Sequence, residues 1–355
     1  MISIKIERRK EATPWWVNLT VPILAVVVSF AITAPLVLAS GANPLRAFYW
    51  MAIAPFTTRF SFLEILVEAL PLIFTGLAVT IAFKAKYWNI GAEGQLYAGA
   101  VGAAWAGVVL GKLPTPLLLP IILVLGFTAG ALWSLVCRLL RTKIDEAIST
   151  LLLNWVMLYL VGALLGGPWL NPITKWPQSP EIAEAAHLPT LIHGSRINLG
   201  LPITLTLVIA THWILNKTAL GFEIQAIGTN PRAARLVGVD KARIITIIAL
   251  ISGGLAGLAG VTEVCGKHFH LIEELSPGYG YTGIVVATMG GLNPWGSLLA
   301  ALFLGALNIG GQIMHSTTQT PVPLAKVVQG VMLLATVTLL QIPKYRIALM
   351  RGGKR

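Results

Sequence analysis

Long windows without a charged residue recur along the chain, and each is near the roughly 20 residues that a helix needs to cross a bilayer. They predict spans at 17–39, 64–83, 88–110, 116–137, 147–167, 198–215, 244–263, 280–293, 297–314 and 324–341. The charge-free stretch 275–325 is interrupted by Gly290, Gly291, Asn293 and Pro294, so it splits, and its short first piece reads as re-entrant. The expected fold is an all-α integral membrane protein of about ten transmembrane helices, some broken or re-entrant.

The polar positions between these runs orient the chain. With the N-terminus in the cytoplasm, 19 of the 26 Lys and Arg residues fall on cytoplasmic segments and 7 outside. That bias is the positive-inside rule, and it returns the C-terminus to the cytoplasm. The outside set is Arg46, Arg59, Lys112, Lys175, Arg196, Lys267 and Lys326. Two outside segments are long. Residues 41–63 carry Phe48, Tyr49, Trp50, Phe56 and Phe60 and suggest an interfacial helix. Residues 168–197 form a proline-rich external loop with Trp169, Trp176 and His187.

Composition agrees. The chain of 355 residues is 55% hydrophobic and 11% charged, with mean hydropathy +0.77. A water-facing surface usually needs about 25% charged residues. The net charge of +12 would suggest nucleic acid in a soluble chain, but here the basic residues sit where a membrane protein meets anionic headgroups. No cleavable signal peptide is evident, because the apolar stretch after Lys5, Arg8, Arg9 and Lys10 is too long for one. Cys137 and Cys265 give no support for a disulfide, and Cys265, His268 and His270 lack a fourth metal ligand at usual spacing, so no cofactor or metal is expected.

Small residues at helix-packing spacing occur as Gly126 and Gly130, Gly162 and Gly166, and Gly253 and Gly257. A weak internal echo is also present. Gly76-Leu77-Ala78 precedes Asn89-Ile90-Gly91-Ala92-Glu93-Gly94, and Gly254-Leu255-Ala256 precedes Ser276-Pro277-Gly278-Tyr279-Gly280. Beginning five spans apart, the copies would form an inverted repeat, an arrangement that in transporters holds the solute near the repeat interface.

Three segments carry candidate chemistry. The first is the loop 217–243, the largest on the cytoplasmic side. Asn230 suits an N-cap, Pro231 the first helical position and Gly238 the position just past the helix end, so a short capped helix is expected over Arg232–Val237. The second is 89–95. Gly91 and Gly94 interrupt a helix at membrane depth, and Asn89 and Glu93 would share a face if the segment were helical. A carboxylate there faces the bundle interior, either touching solute or pinning a neighbouring helix. The third is 276–296, where Tyr279, Tyr281 and Thr282 offer stacking and hydroxyl contacts to a base or sugar ring, or else serve as interfacial aromatics.

The loop 217–243 resembles the coupling loop of ABC-transporter permeases in the family serving branched-chain amino acids, ribose-type sugars and nucleosides. The pattern residues are Gly221, Ala226, Gly228, Asn230, Ala233, Ala234 and Gly238, with Pro231 beside them. Asn89–Gln95 and the Gly-Tyr-Gly and Asn-Pro-x-Gly stretches at 278–296 resemble its nucleoside and simple-sugar branch. The likeness covers about residues 35–345; over 58–74 it is one of hydrophobicity alone. It implies a permease whose short helix docks on a cytoplasmic ABC ATPase, with a second permease chain and an external or periplasmic solute-binding protein, in a bacterial cytoplasmic membrane. It implies a solute pathway near Asn89, Glu93, Gln95, Tyr279, Tyr281 and Thr282.

What is absent narrows the function. No nucleotide-binding Gly-x-x-x-x-Gly-Lys-Ser/Thr occurs, since Gly107 to Lys112 has the wrong spacing and no hydroxyl follows. The six histidines are scattered without a partner constellation. The chain therefore reads as a transport subunit, not an enzyme. An ion-coupled secondary transporter using Glu93 is the alternative, and the capped loop argues against it.

Overall fold

The computed structural model describes residues 2–8, 15–140, 145–341 and 345–351. Of the basic residues used above for orientation, Arg9, Lys10, Arg141, Lys143, Lys344, Lys354 and Arg355 lie outside the described residues. The helices are α1 Trp15–Ala39, α2 Pro44–Ala52, α3 Arg59–Lys84, α4 Ala92–Val109, α5 Thr115–Leu140, α6 Glu146–Leu165, α7 Gly200–Lys217, α8 Ala219–Thr229, α9 Pro231–Leu236, α10 Lys241–Glu263, α11 Tyr279–Met289, α12 Pro294–Thr318 and α13 Val322–Gln341. Each of the ten apolar windows coincides with one of them. Among the described residues, five helices are individually long and apolar enough to cross a bilayer: α3, α5, α6, α10 with its extension, and α12. Helices α7 and α8, bent by 70° at their junction, make a sixth if taken as one span. At 11 residues, α11 is about 16 Å long, half of a hydrocarbon core, as expected for a broken span.

The chain forms two compact units. One comprises Met1–Ser61 and Leu307–Arg355. Within it α1 packs along α13, and Phe30 stacks on Phe48 of α2 with ring centroids 4.1 Å apart. Asn43 caps α2, its side chain accepting from Leu45 N at 2.9 Å. The chain ends add an antiparallel ribbon, β1 Ile2–Arg8 on β2 Tyr345–Arg351. The sequence reading did not anticipate it, although Ile2, Ile4 and Ile6 alternate with Ser3, Lys5 and Glu7 at the two-residue period of a strand.

The other unit is Phe62–Ala306. Helix α10 lies at its centre, packed on α4 and α5. Gly99 of α4 and Gly126 and Gly130 of α5 face Gly253 and Gly257 of α10, and a Cβ at any of them would strike opposing backbone or side-chain atoms. Two of the three glycine pairs seen in sequence thus meet each other, where lipid-embedded helices gain most by close approach. The third does not, since Gly162 faces the Glu273 carboxylate. The best spanning window of α3 is 94% buried within the protein and that of α5 only 33%, so α5 turns a broad apolar side outward. The loop 168–197 is ordered against the far end of α10. Ser179 N donates to Leu271 O at 2.9 Å, Ile182 N to Phe269 O at 2.9 Å and Leu188 N to Cys265 O at 2.8 Å.

Candidate functional site

Two sequence motifs nearly 190 residues apart meet in the Phe62–Ala306 unit. Glu93 stands in the first turn of α4, buried, and its Oε2 accepts the Gly280 N–H of α11 at 2.6 Å. Gly280 rests directly on the Glu93 backbone, where a Cβ would have no room. The helices diverge from this contact. Thr75 bonds Tyr279 O at 3.0 Å, Gly76 faces Val286, and Ser297 of α12, just beyond the end of α11, bonds Thr80 at 2.8 Å, so α11 follows the direction of α3. Ser252 bonds Ala78 O at 2.8 Å while Lys267 pairs with Glu68 at 3.3 Å, so α10 opposes α3. Asn89 bonds Ser252 at 2.9 Å and Gly260 faces Leu96, so α4 runs with α10. Helices α4 and α11 therefore start together and run apart, each after a non-helical link from a long helix. The two copies of the internal echo share this layout. Converging helix starts place partial positive charge where Glu93 sits.

The link before α4 is closed by side chains. Asn89 and Gln95 form a reciprocal pair, Asn89 Nδ2 to Gln95 Oε1 at 2.9 Å and Gln95 Nε2 to Asn89 Oδ1 at 3.0 Å. Both are fully buried. Thr150 takes the Ile90 N–H at 3.2 Å, Asn89 the Gly91 N–H at 3.0 Å and Asn154 the Gly94 N–H at 2.9 Å. The backbone groups that glycine leaves unwound are thus recaptured by the protein, as burial requires. Because α4 begins only at Ala92, Asn89 precedes the helix, and the i, i+4 face with Glu93 does not form. The physical reason is that Asn89 Oδ1 turns back onto Gly91 N in place of a helical bond.

The third segment divides by burial. Tyr279 is buried, whereas Tyr281 and Thr282 are half-exposed. The Tyr279 hydroxyl donates to Glu68 Oε1 at 3.0 Å and accepts from Lys267 Nζ at 3.3 Å. Lys267 also pairs with Glu263 at 3.5 Å, and His268 approaches the same carboxylate at 3.5 Å. Close by, the Arg196 guanidinium grips Glu64, with Nε 3.1 Å from Oε2. Hydrogen bonding to Glu64 holds Arg196 above its ordinary pKa. This ionic cluster joins α3, the segment before α7, α10 and α11. The sequence reading missed it, having put Lys267 in an outer loop. The chain instead continues α10 through a π-helical turn, Val264–His268, which ends at Phe269 with φ +61°. The available signal was Glu64 and Glu68 one turn apart in an apolar helix, since ionisable residues at membrane depth mark function by default. Cys137 and Cys265 are both free and buried, and no metal-binding group of His, Cys, Asp or Glu occurs among the described residues.

The loop at the opposite end of α10 has the capped form its sequence encodes. Thr218 caps α8 by accepting from Gly221 N at 3.2 Å. Asn230 caps α9, accepting from Arg232 N at 3.1 Å and Ala233 N at 3.2 Å, with Pro231 in the first position. Gly238 ends it with φ +87°, and Asp240 caps α10. The pattern residues shape and seat this loop. Gly221 and Gly228 lie so close to the carbonyls of Leu215 and Lys84 that a Cβ would collide, and Ala234 is buried. The largest outward side chains lie outside the pattern: Leu236 is 89% exposed and Val237 72%, and Arg232 and Arg235 are exposed too, as are Asn230, Pro231, Ala233 and Gly238 of the pattern itself. Ala226, with Phe222, Gln225 and Thr229, lines a cleft of about 350 Å³ where α7 bends into α8.

Fold and site define a polytopic helical membrane protein with paired broken spans and a capped surface loop. A family model described as branched-chain amino acid transport system / permease component matches residues 61–337, and the chain belongs to that family. It is the membrane-spanning permease subunit of an ATP-binding-cassette importer. The chain is 32% identical to the glucose ABC transporter permease protein TsgB13 of Haloferax volcanii, over 98% of this chain and 94% of that one. It is 30% identical to the guanosine ABC transporter permease protein NupP of Bacillus subtilis, over 89% and 92%. It is 31% identical to the nucleoside ABC transporter permease protein NupB of Lactococcus lactis, over 82% and 83%.

Proposed function

We propose that this chain carries a nucleoside or a simple sugar inward across the cytoplasmic membrane, with both termini in the cytoplasm. It acts as one permease domain over residues 1–355, with 217–243 as its cytoplasmic coupling loop and 168–197 as its external loop. Helix α9 docks on a cytoplasmic ABC ATPase, which hydrolyses the ATP, while this chain has no ATPase site of its own. A second permease chain completes the pathway, and an external solute-binding protein delivers the solute. Gly221, Gly228, Asn230, Pro231, Ala234 and Gly238 give the coupling loop its shape, and the exposed side of α9 supplies its contacts. Tyr281 and Thr282 face the pathway, and Glu93, Asn89, Gln95 and Tyr279 hold its walls.

The observation that carries this reading is the meeting of the 89–95 and 276–283 segments at Glu93 and Gly280, which sets half-exposed hydroxyls beside a break in two helices. The glucose and nucleoside specificities named for the relatives support the solute class. The test is reconstitution of the full complex, isolated by pull-down on this chain, into vesicles. ATP-dependent uptake of radiolabelled guanosine or glucose is the expected result. A complex without a co-purifying ATPase, or one that moves neither solute, refutes it.

A further inference from the structure

Asn154 was singled out by no motif, yet its amide is fixed on three sides. Its Oδ1 accepts the Gly94 N–H at 2.9 Å, and Nδ2 donates to the Ile90 carbonyl at 2.9 Å. A backbone donor on one atom and a backbone acceptor on the other leave the amide a single orientation. The second Nδ2 hydrogen then points at the Tyr281 hydroxyl, 3.2 Å away. That oxygen must accept, so its own proton remains for another partner, and no acceptor for it lies among the described residues. Asn154 is fully buried, whereas Tyr281 is half-exposed on the side of α11 away from Gly280 and Gly283, the residues that pack on α4 and α3.

Resting on the solute pathway proposed above, we infer that Asn154 is a positioning residue that makes Tyr281 a hydrogen-bond donor to the solute. The solute atom it meets is an uncharged acceptor: a ring oxygen of a sugar, or a carbonyl or unprotonated ring nitrogen of a purine. A solute offering only a donor there leaves two hydrogens face to face and is disfavoured. Thr282 cannot substitute, because its hydroxyl donates to Gly278 O at 3.0 Å.

The test uses the intact complex and guanosine analogues that each remove one of its acceptors: 2-aminopurine riboside (O6, with N1 turned from donor to acceptor), 3-deazaguanosine (N3), 7-deazaguanosine (N7) and carbocyclic guanosine (the ring oxygen). In the wild type one analogue has a KM raised roughly three- to tenfold, the worth of a single neutral hydrogen bond. Tyr281→Phe raises the guanosine KM by a similar factor and abolishes the discrimination, with the maximal rate little changed. Asn154→Asp keeps the bond from Gly94 but cannot donate to Tyr281 when ionised, and it loses the same discrimination without adding to Tyr281→Phe in the double variant. A merely structural asparagine would lower the maximal rate for every analogue alike. Guanosine uptake with the analogue profile unchanged in both variants overturns the inference while leaving the importer reading intact. A wild-type complex that transports neither guanosine nor glucose overturns the reading and the inference with it.

Discussion

The two ends of α10 are built on opposite plans. At its start, Asp240, Gly238 and Asn230 shape a loop by local turns and caps within a dozen residues, and its basic side chains point outward. At its finish, Glu263 and Lys267 are sunk among Glu68 and Tyr279, with Glu64 and Arg196 close by. One end spends little on burial and keeps apolar side chains exposed for a partner. The other takes several charges out of water and recovers the cost only through mutual pairing. The difference teaches where this permease is made rigid and where it is left to respond. Separating α3 from α10 would break the Lys267–Glu68 ion pair and separating it from α11 the Tyr279–Glu68 hydrogen bond, whereas moving α9 breaks little beyond the packing of Ala234.

The sharpest way to break that contrast is Lys267→Met. It removes the lysine that pairs with both Glu68 and Glu263, and removing one partner of a buried pair costs about 3–5 kcal/mol. The expected outcome is a protein that fails to accumulate, or that shows a strongly lowered midpoint of thermal unfolding in detergent. Adding Glu68→Gln should recover part of the loss, read by the same unfolding assay. A single variant as stable as the wild type would mean that the cluster is not a clamp.

Gly257→Val comes next. Its Cβ would meet the Gly126 carbonyl across the α10–α5 contact, and overpacking of this kind costs about 1–3 kcal/mol or more. Wild-type thermal stability in this variant would show that the helices are not held at glycine distance. Milder still is Asn230→Ala, which removes the cap of α9 at about 1 kcal/mol. Unfolding of the whole chain should barely register it, while hydrogen exchange of the Arg232 and Ala233 amides should accelerate.

The same contrast explains what could be read in advance. Helix positions followed from runs of apolar residues, and the cap of α9 from Asn230-Pro231, because those instructions are local. Glycine pairs announced α5 and α10 as close-packing helices, though which pairs faced each other was fixed only by the fold. The ionic cluster was not legible, since residues 64, 68, 196, 263, 267 and 279 converge only when α3, α10 and α11 pack. Asn154 escaped for the same reason. Its neighbours are all apolar or aromatic in sequence, and its partners Ile90, Gly94 and Tyr281 are 60 or more residues away. Of the pattern residues at 221–238, Gly221, Gly228 and Ala234 pack inward and Asn230, Pro231 and Gly238 set the caps and turns, roles that their local spacing already encoded.

The smallest effect on stability carries the largest consequence for coupling. Leu236 is 89% exposed, so Leu236→Asp removes almost no buried area, and surface changes of this kind stay within about 0.5 kcal/mol. The unfolding midpoint should be unchanged. An apolar side chain held in water at the tip of a capped helix is nevertheless what a partner's groove would cover, and a carboxylate there would have to be desolvated on docking. Recovery of the ATPase with the permease in a pull-down should fall sharply, and ATP-driven uptake with it. Gly228→Leu separates seat from surface, because it collides with the Lys84 carbonyl at the end of α8 and so shifts α9, which follows it, from within. If Leu236→Asp keeps full ATPase recovery while Gly228→Leu loses it, the partner reads the placement of the loop and not its exposed apolar tip.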